Sequence, residues 1–94
     1  MDLVTVKKQK ENEERLAKTV EILNGVADSM STPRNIRKTV KDIVVALQDT
    51  KLGVSVRAAN AISTLDDLSQ DPNMPSYVRV ILWQAVSVLE SIRE

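Results

Sequence analysis

The sequence predicts an all-α protein, a four-helix up-and-down bundle built from two similar helical hairpins, and three observations carry that prediction. Pro33 and Pro75, 42 positions apart, each open an amphipathic segment. In register from those prolines, Ile36 falls on Val78, Arg37 on Arg79, Val40 on Leu82, Val44 on Val86 and Leu47 on Leu89, while upstream Leu23 meets Leu65 and Val26 meets Leu68. Third, four apolar seams recur at spacings of four and three, the period of a helix that buries one face. A repeat of this length is one helical pair, which needs its neighbour to cover its apolar stripe.

The first seam runs Leu16, Val20, Leu23, Ala27 and Met30. Extended backwards it reaches Glu13, Gln9 and Val6, so residues 1–15 are expected to continue as exposed or frayed helix without a buried face. Pairs such as Glu11 with Arg15 and Glu14 with Lys18 lie at helical spacing there. Gly25 interrupts the pattern and suggests a close helix approach or a bend. Thr32 is expected to cap the second helix, with Pro33 at its first position. That helix carries Ile36, Val40, Ile43 and Leu47, widened by Val44, and ends near Gln48. The third runs from about Val54 to Ser69 on Val54, Ala58, Ala61, Leu65 and Leu68. Two prolines make the segment from Asp71 to Pro75 a turn, with Asp71 as its side-chain former. The fourth helix begins at Pro75 on Val78, Leu82, Ala85, Leu89 and Ile92. Short connections favour an antiparallel bundle over two stacked hairpins of a solenoid.

Ninety-four residues suit a single domain, 1–94, with one core. Thirteen basic residues balance thirteen acidic ones, so no global field draws the chain to nucleic acid or anionic lipid. Cysteine and histidine are absent. That removes disulfides, thiolate nucleophiles, imidazole bases and most transition-metal sites. Two glycines make no phosphate-cradling loop, and no serine sits in a nucleophile motif. Asp66, Asp67 and Asp71 are close in the chain, but adjacent residues on a helix point about 100° apart and do not share an ion. The expectation is a protein that is not an enzyme, with no cofactor, no metal, no small-molecule substrate and no membrane span. No signal peptide is evident, and the predicted location is cytoplasmic.

Two surfaces remain as candidates. Arg34, Arg37, Lys38 and Lys41 fall at i, i+3, i+4 and i+7, a basic stripe suited to phosphates or an acidic partner. The plainer account is a solvated face met by neighbouring acids such as Asp66 and Asp67, since no aromatic stands by to stack a base. Tyr77, Val80 and Trp83 recur every three residues on a fourth helix that is apolar almost all round. They form either a hydrophobic partner or self-association surface, or merely the most buried part of the core.

The segments Pro33-Arg34-Asn35-Ile36-Arg37, Val56-Arg57, Asp71-Pro72-Asn73-Met74-Pro75 and Leu82-Trp83 together resemble a family of short archaeal proteins known only as an uncharacterised protein family. The likeness covers roughly the last three quarters of the chain and is least up to about Lys18. It implies a four-helix bundle in a cytoplasmic archaeal setting, and no activity. A second likeness, of Val56-Arg57-Ala58-Ala59 with Ile62 and Leu65, is to HEAT-type helical repeats, which are protein-binding scaffolds. The reading is therefore a small non-catalytic helical interaction module or homo-oligomer, with an RNA- or ribonucleoprotein-associated protein as the alternative.

Overall fold

The computed structural model describes residues 3–92; residues 1–2 and 93–94, the ends of the expected domain and the start of the stretch expected to fray, lie outside it. Four helices follow one another: α1 (Leu3–Ala27), α2 (Arg34–Leu47), α3 (Val54–Leu68) and α4 (Ser76–Glu90). Helix α1 packs on α2 and α4, and α3 completes the ring against α4 and α2. The diagonal pairs α1–α3 and α2–α4 touch little or not at all. Short connections and this ring order are those of an up-and-down bundle.

The stripes of α2 and α4 bury as their spacing demands. Ile36, Val40, Ile43, Val44 and Leu47 close one side of the core, and Val78, Leu82, Ala85 and Leu89 the other, joined by Ile92 just beyond the end of α4, where the helix was expected to continue. In α3 only Ala58, Ala61 and Leu65 are fully buried, while Val54 and Leu68 pack at the margin. With no phenylalanine in the chain and Tyr77 and Trp83 exposed, the hydrophobic core holds no aromatic ring. Burying a leucine or valine fully is worth roughly 1.5–3 kcal/mol, so these stripes hold the bundle together.

The seam of α1 differs from expectation. Its buried residues are Asn12, Leu16, Thr19, Leu23, Val26 and Ala27, with Val20 only half-covered. Thr19 tolerates full burial because its hydroxyl donates to the Arg15 carbonyl at 2.9 Å, one turn back. Met30 lies beyond the end of α1 and is 83% exposed. The stretch expected to lack a buried face buries Asn12. A Cβ at Gly25 would meet nothing within 4 Å, so no helix approaches there.

The helix starts also differ. Pro33 and Pro75 are themselves the N-cap residues, with extended ψ near 143°, and neither helix has a side-chain cap. Thr32 is turned inward, 2% exposed, and its hydroxyl finds no partner among the described residues. Each proline carbonyl instead accepts the first helical bond, from the Arg37 and Arg79 amides. The turns are shaped by aspartates: Asp71 Oδ1 accepts the Asn73 amide at 2.8 Å, and Asp49 Oδ1 the Lys51 amide at 3.0 Å.

An arginine stands at the fourth position of α2, α3 and α4 alike, half-buried in each case. Arg57 Nη1 donates to the Leu47 carbonyl at the end of α2, at 3.0 Å. Arg79 donates to the Ser69 and Asp71 carbonyls after α3, at 2.8 and 3.2 Å. A cation on the orphan carbonyls of a helix end satisfies acceptors and opposes the negative end of its dipole. Arg37 is the exception, reaching only the Met30 sulfur at 3.6 Å. Sulfur is a weak acceptor.

Candidate functional site

Because α1–α2 and α3–α4 are antiparallel pairs, their two turns lie at the same end of the bundle, and so do the starts of α2 and α4. Side chains tie those turns together. The Tyr77 hydroxyl donates to Ser31 Oγ at 2.6 Å, Ser31 and Ser29 hydroxyls lie 2.9 Å apart, and Asn35 Nδ2 is 3.5 Å from Asp71 Oδ2.

From this end the two candidate surfaces run down separate helices that do not touch. On α4, Tyr77, Val80 and Trp83 are 49%, 50% and 55% exposed. Of the other apolar residues on that helix, Val86 is buried and Ile81 and Val88 are half-buried, so the excess apolar character sits in one outward strip. The strip is anchored at its top by the Tyr77 bond and free below it. On α2, Arg34, Arg37, Lys38 and Lys41 line one shallow depression together with Asn35. Arg34, Lys38 and Lys41 are exposed, whereas Arg37 is half-buried with its Nε enclosed and without a partner. Val45, one turn beyond Lys41, is exposed on the same helix and ends the basic stripe on an apolar residue. Asp66 and Asp67 are exposed on α3.

Sequence reasoning gave no surface role to Val45 or Val56, both exposed, or to the lower end of the molecule, where α1 meets the α2–α3 turn. There Val54 and Arg57 face Thr5, Gln9 and Glu13 across a second depression. Beside it, Leu16, Ala17 and Val20 of α1 form a third depression with Leu47. An isolated valine on a helix is an ordinary surface feature, so the sequence offered no signal for the first two.

Comparison with known proteins places the chain. The model of an uncharacterised protein family, UPF0147, matches residues 4–92. The chain belongs to the UPF0147 family. A UPF0147 protein of Metallosphaera sedula is 46% identical over 84 residues, covering 89% of this chain and 94% of the relative. One from Aeropyrum pernix is 42% identical over 84 residues, covering 89% and 92%. These relatives are archaeal, in line with the resemblance. Two crystal structures share the fold: a protein of unknown function at 36% identity and TM-score 0.84, covering 87% of this chain and 93% of its own; and a UPF0147 protein of Thermoplasma acidophilum at 25% identity and TM-score 0.83, covering 89% and 99%. The family match begins at Val4, so it includes the amino-terminal stretch in which the least likeness was expected. Among the described residues no three acidic side chains gather as a metal site, and no helix is long and apolar enough to cross a membrane.

Proposed function

We propose that this UPF0147 protein is a non-catalytic helical interaction module whose α4 strip of Tyr77, Val80 and Trp83 binds another protein. The observation that carries the reading is the exposure of all three side chains, about half of each, on a helix whose inner face already completes the core. Tyrosine and tryptophan supply much of the energy of protein interfaces, because each buries a large area at a small entropy cost. The absence of histidine and cysteine from the chain supports a binding role over a catalytic one.

The test compares tagged wild-type protein with Trp83→Ala and Val80→Glu in captures from native cells, each split into nuclease-treated and untreated halves. A partner held by wild type, kept after nuclease and lost from both variants while their helical signal persists, is the expected result. Equal capture by all three chains would sink the reading.

A second reading, association with RNA through Arg34, Arg37, Lys38 and Lys41, draws support from one observation. Arg37 has only a sulfur acceptor, whereas its counterpart Arg79 engages two carbonyls, so its donors on the depression remain available for a phosphate. On this reading a single-stranded RNA oligonucleotide binds with a log–log salt slope that falls by about 0.7 for each cation replaced by glutamine. No binding at low salt would end it.

A further inference from the structure

Helix α1 has 25 residues and its three companions 14 or 15. At about 1.5 Å per residue it outruns them by roughly 15 Å. Its last turns pack beside the starts of α2 and α4, so the excess projects from the opposite end, as the 47 Å long axis against 22 and 19 Å reflects. Leu3, Val4 and Val6 on this projection are 83%, 76% and 48% exposed. An unsupported helix this short is marginal in water.

The projection carries an unusual charge order. Residues 7–14 read Lys-Lys-Gln-Lys-Glu-Asn-Glu-Glu. Folded about the midpoint between Lys10 and Glu11, Lys7 meets Glu14, Lys8 meets Glu13, Gln9 meets Asn12 and Lys10 meets Glu11. Adjacent residues on a helix point about 100° apart, so one outward face presents only part of this order, in which Lys7 meets Glu14 and Lys10 meets Glu11. For a helix standing alone the order is weak at its start: the lysines crowd the positive end of the dipole, the first turn holds no acid, and Lys7 and Lys10 precede Glu11 and Glu14 in the weaker orientation. On that one face two copies lying antiparallel are complementary, while Asn12 is buried within its own bundle and takes no part.

We propose that the projecting part of α1 pairs antiparallel with the same segment of a second copy, about a two-fold axis between Lys10 and Glu11. Leu3, Lys7, Lys10 and Glu14 share one face at spacings of four, three and four, so Lys7 of each copy meets Glu14 of the other at both edges of the contact. With that register the tip of one copy, Leu3 and Val6, comes level with residues 15–18 of its mate. The contact is isologous, the same patch on both partners, and therefore closes as a dimer. It leaves the α4 strip and the basic stripe free.

Light scattering on the full chain tests this directly, because two charge-reversed variants make opposite predictions alone and together. Wild type is expected at twice the 10.5 kDa chain mass. The triple variant Lys7→Glu, Lys8→Glu, Lys10→Glu turns the segment wholly acidic, and Glu11→Lys, Glu13→Lys, Glu14→Lys turns it wholly basic. Each alone is expected at the monomer mass, and an equimolar mixture is expected to return to the doubled mass as a heterodimer. That recovery also shows that both variants fold. Trp83→Ala is expected to leave the dimer intact. A monomeric wild type, a reversed variant that still dimerises alone, or a mixture that stays monomeric would each overturn the proposal. So would a dimer lost on Trp83→Ala and kept in the reversed variants, which would move self-association to α4.

Discussion

Counted from their prolines, α2 and α4 bury the same positions: Ile36 and Val78, Val40 and Leu82, Val44 and Val86, Leu47 and Leu89. Their outer positions keep the same count and reverse the chemistry. Asn35 corresponds to Tyr77, Lys38 to Val80 and Lys41 to Trp83, and all six are exposed. The bundle needs apolar side chains on the inner positions, because α1 and α3 close over them. It asks nothing of the outer ones. A difference confined to positions that the core does not constrain is the place to look for what each helix binds, and the two helices offer one cationic and one apolar face on matching scaffolds.

The largest effects should fall where the helices agree. Leu47→Ala and Leu89→Ala each remove a leucine that is 1% exposed, and each is expected to cost about 2–5 kcal/mol in denaturant unfolding. Similar losses at both would confirm that the inner faces are equivalent. A cost below about 1 kcal/mol at either would break the comparison at its strongest point. The next test falls on the shared arginines. Arg79→Met removes bonds to two carbonyls and is expected to cost about 1–3 kcal/mol, whereas Arg37→Met gives up only a sulfur contact and should cost less than about 1 kcal/mol. Equal costs would show that Arg37 is as structural as its counterpart, and would remove the argument that it is available to a ligand.

Helix α1, the wall that both α2 and α4 pack against, provides the background for those measurements. Gly25 lies within it with open space where a Cβ would sit, so Gly25→Ala is expected to raise stability by about 1 kcal/mol. For a chain of this size that is a rise in Tm of roughly 4–8 °C. A loss instead would mean that the glycine serves a bend.

The inner faces were legible in the sequence because aliphatic residues at helical spacing carry a strong signal; every residue of the seams in α2 and α4 was read correctly. The seam of α1 was read correctly at Leu16, Leu23 and Ala27, but through Val20 and Met30 where the helix buries Thr19 and Val26. The reading followed apolar residues and passed over polar ones that a helix accommodates, Thr19 by bonding its own backbone and Asn12 at the base of the projection. Thr32 was read as a cap by residue type, but capping depends on where the hydroxyl points, and here it points inward. The arginine clasps were invisible for a similar reason: Arg57 and Arg79 each reach a carbonyl ten residues earlier, across a turn whose path the sequence does not give. Whether Tyr77, Val80 and Trp83 were core or surface was left open by periodicity, since on a helix apolar nearly all round only the placement of its neighbours decides.

The smallest effect on stability is expected at the lysines, where α2 and α4 differ. Lys38→Gln with Lys41→Gln, on exposed positions, should shift unfolding by no more than about 0.5 kcal/mol. Val80→Gln with Trp83→Gln, at positions about half covered, should cost more, about 1–3 kcal/mol, for the half of each apolar surface that the bundle covers. The contrast lies in binding. The lysine pair should weaken only salt-sensitive association, and the α4 pair only association that persists in salt, because a cationic contact acts through counterion release and an apolar one through buried area. If the lysine pair instead costs more than about 2 kcal/mol of stability, those cations are held by acidic neighbours within the bundle. The outer face of α2 would then belong to the fold, and α4 alone would be left with a surface that the fold does not explain.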